Sequence, residues 1–181
     1  MGQYYYAVSS LPHLYFDSET YPSTEEFFQL CCENLSEADL NIFKEIYQAD
    51  SGETGNGFLR RWFSWNRSLR FELAVLRAQN LGMDFDGYQG IDKMTGTEEL
   101  AREAYNQESP LTSEEVLERG RWGFLDELEV GHFFDLQKLL VYGLKLSILE
   151  RKSRFNIDKG LENFKRIYGA VTEGKIGEQP E

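Results

Sequence analysis

FLRRWFSWNRSLRFELAVLRAQN, residues 58–80, reads as one amphipathic helix and decides the fold class of the chain. At 100° per residue, Phe58, Trp62, Trp65, Leu69, Leu73 and Leu76 fall on one stripe, and Arg60, Arg67, Arg70 and Arg77 fall on a nearly opposed one. Such a helix runs for about six turns. Two tryptophans on its inner side make it a scaffold, and four guanidinium groups on its outer side make it a charged surface. That combination describes a binding element rather than a reaction centre.

Working outward, the same periodicity recurs on both sides. Ser23-x-x-Glu26 has the form of a capping box and opens a helix through about Glu33, with Phe27, Leu30 and Cys31 facing inwards. Ser36 begins another, with Asp39 in its first turn and Leu40, Phe43 and Tyr47 at steps of three and four. The short turn between these two predicts an antiparallel hairpin. Before them, Tyr4 to Leu11 is apolar and aromatic and is stopped by Pro12, which reads as a short extended segment. Asp50 to Gly57, DSGETGNG, is a loop that leads into the long helix, and Gly82 stands where a left-handed C-terminal cap belongs.

Downstream, Gly82 to Gly96 carries four glycines and three aspartates with no period, and is the segment expected to be mobile or to contact a partner. Thr97 to Asn106 reads as a short helix. Pro110 breaks the chain, and Thr112-x-x-Glu115 starts a helix towards Glu129 whose middle Gly120 and Gly123 weaken. From His132 to about Arg154 a long helix is broadly apolar, with Phe133, Leu136, Leu140 and Leu144 on one face, so it should be central and covered on more than one side. Asn156 caps a last helix through Tyr168, and residues 170–181 form a frayed tail. The expectation is a mostly α protein: a single domain over 1–181, built as a bundle of six to seven helices.

Composition narrows the function classes. The 31 acidic against 19 basic residues leave a formal charge of −12, which opposes general binding to nucleic acid or to an anionic membrane. The two cysteines, Cys31 and Cys32, are adjacent; they form neither a disulfide scaffold nor a C-x-x-C metal site, and both read as core residues of a helix. With no basic n-region or long apolar stretch over Met1 to Ser10, a cytoplasmic location is expected. The apolar run Leu139 to Leu144, flanked by Lys138 and Lys145, is too short to span a bilayer.

No reaction centre assembles from the residues. Glu129-x-x-His132 places a carboxylate and an imidazole at the spacing used in di-iron bundles, but those need the motif twice with two further glutamates, so His132 reads as a helix-start histidine. Asp84, Asp86 and Asp92 suggest a calcium loop. Counted from Asp84, however, Tyr88, Gln89 and Thr95 fall on three positions that such a loop needs for other residues. DSGETGNG lacks the Lys-Ser or Lys-Thr of a phosphate-binding loop. Neither cysteine has a base assigned to it. No catalytic, metal or cofactor residue is therefore identified, and an enzyme ranks behind a binding protein. The candidate partner contacts are Arg60, Arg67, Arg70 and Arg77, with Asp84, Asp86 and Tyr88 of the glycine-rich loop. Two readings of the arginine stripe stay open: pairing with the chain's own carboxylates, and docking on an acidic or carbonyl-rich partner.

The opening Tyr4-Tyr5-Tyr6-Ala7-Val8-Ser9-Ser10-Leu11-Pro12 and the closing Tyr142-x-Leu144-x-Leu146-x-Ile148-Leu149-x-Arg151, followed by Lys159-Gly160-x-x-x-Phe164, resemble an uncharacterised bacterial family of about this length. Genes of that family are commonly found inside operons for V-type ATPases. Asn66, Leu69 and Leu76-Arg77-Ala78-Gln79-Asn80-Leu81-Gly82 are also similar to the long helix of the V-type ATPase rotor adaptor, the C-type component that is d-type in eukaryotes. That adaptor is an all-helical funnel seated on the membrane rotor ring, where it receives the central stalk. The resemblance implies a non-catalytic subunit or coupling adaptor of a rotary ATPase, without a cofactor. It would sit on the cytoplasmic side, meeting the membrane only through the complex, with the central stalk and rotor ring as partners. The C-type adaptor has three related helical units and this chain has room for about half of that, which argues against a full funnel. The alternative is a stand-alone cytoplasmic adaptor or regulator binding another protein.

Overall fold

The structure of the protein, a computed structural model, describes residues 2–47, 54–83 and 93–154. Among these residues lie seven helices and no strand: α1 (Gly2–Ser10), α2 (Thr24–Asn34), α3 (Glu37–Glu45), α4 (Gly57–Asn80), α5 (Thr97–Tyr105), α6 (Pro110–Glu129) and α7 (Leu136–Arg154). The mostly α reading is thus right. Two compact units are present, Met1–Leu149 and Glu150–Glu181. In the second, the described residues are the end of α7, where the Ser153 hydroxyl donates to the Glu150 carbonyl. The helix expected over Asn156 to Tyr168 and the loop residues Asp84, Asp86, Tyr88 and Asp92 lie outside the described residues.

The helix starts follow their caps. Ser23 closes a complete capping box on α2, its backbone N–H donating to Glu26 and its hydroxyl accepting from the Glu26 N–H. Ser36 caps α3, and Asn56 Oδ1 caps α4 by accepting from the N–H groups of both Phe58 and Leu59. At the far end of α4, Gly82 takes φ +67° while the Met83 N–H reaches the Ala78 carbonyl and the Gly82 N–H the Gln79 carbonyl. This paired bonding is the left-handed termination that the glycine predicted.

Several expectations need correction. Tyr4 to Leu11 is not extended: α1 is helical to Ser10, because Ala7 buries completely and Tyr4, Val8 and Leu11, at helical spacing, pack against the core, while Tyr5 and Tyr6 stay exposed. Helix α6 begins at Pro110 rather than Thr112, capped by Ser109 with Thr112 as its box partner; proline suits a first helical position, where its missing N–H costs nothing. Gly120 and Gly123 do not interrupt that helix. A side-chain carbon at Gly120 would lie 2.2 Å from Leu100 Cδ2, so glycine is there for the close approach of α5. Finally, α7 starts at Leu136 rather than His132: Asp135 Oδ1 accepts from the Lys138 N–H as the cap, and Phe133, expected inside, is 71% exposed. Of the two cysteines only Cys31 is in the core, and Cys32 is exposed.

Two apolar clusters share α4 and α6. The larger gathers Phe27 and Cys31 of α2, Phe43 of α3, Leu59 and Trp62 of α4, and Trp122, Leu125 and Leu128 of α6 around α7. On α7 every residue from Leu139 to Leu146 is buried, so it is the central helix that its all-round apolar pattern predicted. Phe43 lies between α2 rings, 5.2 Å from Phe27 and 6.1 Å from Phe28. Each fully buried leucine or phenylalanine here contributes about 1.5–3 kcal/mol. The smaller cluster packs Trp65, Leu69 and Leu73 of α4 on Ala101 and Ala104 of α5 and Leu117 of α6. Trp62, Trp65 and Phe124 stack face to face where the two meet, with Trp65 and Phe124 4.5 Å apart. The tryptophan stripe of α4 is therefore its buried side, as its spacing required.

Candidate functional site

On the opposite side of α4, Arg60, Arg67, Arg70 and Arg77 are all exposed. Their positions follow from the same helical phase that buries Trp62, Trp65, Leu69 and Leu73. The Arg60 guanidinium donates to the Thr54 carbonyl at 3.3 Å, which ties it to the residues just before the helix. Among the described residues, Arg67 and Arg77 take part in no ion pair, whereas Arg102 and Arg119 pair with Glu98 and Glu115 one turn away. The reading in which the whole stripe is neutralised by the chain's own carboxylates therefore has no described partner for Arg67 or Arg77.

Behind this face, α4 is pinned by polar contacts that sequence reasoning missed. Glu118 and Arg121 of α6 form a buried ion pair at 3.0 Å, with side chains 3% and 9% exposed, and the Arg121 Nε donates to Asn66 Oδ1 of α4 at 3.1 Å. Ser68, fully buried, accepts from the Met94 N–H and shares a 2.9 Å bond with the Thr97 hydroxyl. Glu72 is buried, and its Oε1 lies 3.2 Å from Lys93 Nζ, near enough for charge pairing though not aligned as a hydrogen bond. Each of these fixes the rotation of α4, and with it the direction in which its arginines point. The signal was present as polar residues interrupting apolar stripes, at Ser68, Glu72 and Arg121.

Glu129 and His132 do not converge. The His132 Nδ1 meets Asp135 Oδ2 at 2.6 Å in the α6–α7 connection, while Glu129 turns to α7 and bridges Lys138 and Lys145. Lys145 also reaches Asp126 at 2.6 Å and lies over the Trp122 ring, 5.3 Å from its centre. These lysines border a partly open cavity of about 160 Å³ that Glu129, His13 and Tyr142 also line. Burial, followed by the neighbouring Lys145 charge, pushes the Lys138 pKa below the usual lysine value. Burial also pushes the Tyr142 phenol up to about 12, and its hydroxyl has no hydrogen-bond partner among the described residues. The spacing Lys138-x-x-x-Tyr142-x-x-Lys145 on an otherwise apolar helix is the sequence signal for this cavity.

Among the described residues no group of three His, Cys, Asp or Glu side chains is placed to hold a metal ion, and no helix is long and apolar enough to cross a membrane. Residues 88–175 match a family described as a protein of unknown function (DUF2764). That match takes in α5, α6 and α7, including the lysines and tyrosine of the cavity, and begins after α4. No curated protein and no solved structure matches the chain.

Proposed function

We propose that the protein is a non-catalytic helical adaptor that docks on an acidic partner surface through α4, and that the complex it joins is a V-type rotary ATPase. The observation that carries the docking surface is the exposed pair Arg67 and Arg77, left without a described carboxylate in a chain that has 31 acidic residues. Guanidinium groups held in a row by a rigid helix suit planar carboxylates on a partner. The choice of complex rests on the resemblance of the N-terminal and α7 segments to a family encoded in V-type ATPase operons, and of α4 to the long helix of the C-type rotor adaptor. A coupling part of that kind needs packed helices and polar surfaces but no reacting groups. The central stalk and rotor ring are the partners it would meet, on the cytoplasmic side.

Affinity purification of the tagged protein from its native host tests both parts. V-type ATPase components should co-purify with the wild type and fall away with the quadruple variant R60Q/R67Q/R70Q/R77Q, whose helical circular dichroism stays unchanged. Recovery of some other acidic protein instead selects the stand-alone adaptor. Retention of the partner by the variant removes the arginine face from the interaction.

A further inference from the structure

The outer side of α4 resolves into a seam with two flanks. At 100° per residue, Phe63, Ala74 and Leu81 fall within about 20° of one line. Phe63 and Ala74 are half-buried, and Leu81, which follows the last turn of α4, is 71% exposed. Arg60 and Arg67 lie to one side of that line and Arg70 and Arg77 to the other, each roughly 30–50° away. Within each flank the two arginines are seven residues apart, a rise of about 10.5 Å, and each row drifts by about 20° per heptad. An apolar seam edged by charge at heptad intervals is the surface that one helix of a left-handed pair shows to the other.

We infer that the acidic partner surface is itself an α-helix, lying along α4 at a shallow left-handed crossing, with apolar residues on Phe63, Ala74 and Leu81 and two rows of carboxylates on the arginine flanks. This rests on the docking reading above and adds the form of the partner. A second helix repeats its side chains at the same rise of about 10.5 Å per heptad, so its carboxylates meet both arginines of a flank without bending either backbone. A β-strand returns to one face only every ~6.8 Å, and its residue three further on, at ~10 Å, points the opposite way, so it does not keep register with the arginines. A second copy of α4 does not fit, because it would set arginine rows against arginine rows. The Arg121 to Asn66 and Ser68 to Thr97 contacts already fix the rotation of α4, so the seam is presented before a partner arrives.

Fluorescence anisotropy of the full chain with three labelled synthetic peptides of equal charge tests this. The first is a three-heptad helix with a leucine seam and glutamates on both flanks, the second a helix of the same composition with its glutamates scattered round the axis, and the third a disordered chain of glutamate, glycine and serine. The heptad peptide should bind saturably with a Kd on the order of 10 μM or tighter, and the other two at least about tenfold more weakly. Arg67→Gln should weaken the heptad peptide by about threefold. Arg61→Gln removes the same charge from an exposed position of α4 that lies off the strip, and should leave the Kd unchanged. Neither change touches a buried group, and helical circular dichroism checks the fold of both variants. Scattered or disordered peptide binding as tightly as the heptad peptide, an unchanged Kd with Arg67→Gln, or an equal loss with Arg61→Gln would overturn the helical partner while leaving an acidic one in place. No saturation by any of the three below about 100 μM would remove the acidic docking surface as well.

Discussion

Positive charge is handled in opposite ways on α4 and α7. On α4, Arg67 and Arg77 stand in solvent and join no ion pair among the described residues. On α7, Lys145 is only 8% exposed and meets two carboxylates, and Lys138, at 27%, meets one of the same pair. The difference follows from packing. A helix covered on every side, as α7 is, can carry a cation only where a neighbour brings an anion, and α6 does so with Asp126 and Glu129. A helix with one free side has no such constraint. Since the chain has 31 acidic residues to 19 basic ones, the lack of a described partner for these two arginines does not reflect a shortage of carboxylates. The contrast separates charge used to hold the fold from charge that stands in solvent, which the proposed docking would use.

The largest effect should come from breaking the inward kind of charge. Arg121→Met would leave the Glu118 carboxylate, 3% exposed, without its guanidinium and Asn66 without its donor. A loss of about 3–5 kcal/mol is expected for a buried pair broken on one side. Chemical denaturation would show it as a lower midpoint with an unchanged slope. A shift below about 1 kcal/mol would mean that the pair adds nothing to the α4–α6 contact.

How far the sequence went differs between the same two regions. The α4 stripes, the Ser23 and Ser36 caps and the Gly82 stop were legible because each depends on residues within a turn or two of one another. The failures share a cause of another kind. Gly120 reads as a weak point until Leu100 is seen filling the space, Phe133 reads as core until Asp135 is seen to cap α7 after it, and α1 reads as a short extended segment until its fully buried Ala7 is seen. All depend on partners distant in sequence or on which of two caps wins. The cavity was missed similarly: Lys138 and Lys145 served only to bound an apolar run, and their shared carboxylate comes from another helix.

A smaller effect, opposite in sign, is expected where α7 buries a polar group that nothing satisfies. Tyr142→Phe removes a hydroxyl with no partner among the described residues and should stabilise the protein by about 1 kcal/mol. It should also change the alkaline response. Burial lifts the phenol from its ordinary 10.0 to about 12, so the folded state favours the protonated form. The stability this confers is fully present below pH 10 and is lost as pH rises towards about 12. Denaturation midpoints measured across that window should fall less steeply in the phenylalanine variant. Equal slopes would mean that solvent reaches the phenol in the folded protein.

The smallest stability change should come from α4. Arg67→Gln or Arg77→Gln removes an exposed charge that no described carboxylate meets, and surface replacements of this kind stay within about 0.5 kcal/mol. That near-silence is what gives the arginine face its meaning. An arginine retained for folding has to show its worth in the isolated protein, as Arg121 should, while one retained for a partner shows it only when the partner is present. A thermal midpoint that drops by several degrees on Arg67→Gln would place this guanidinium in an internal pair, and α4 would then hold charge as α7 does. An unchanged midpoint together with lost partner capture would keep the two helices apart in function as they are in burial.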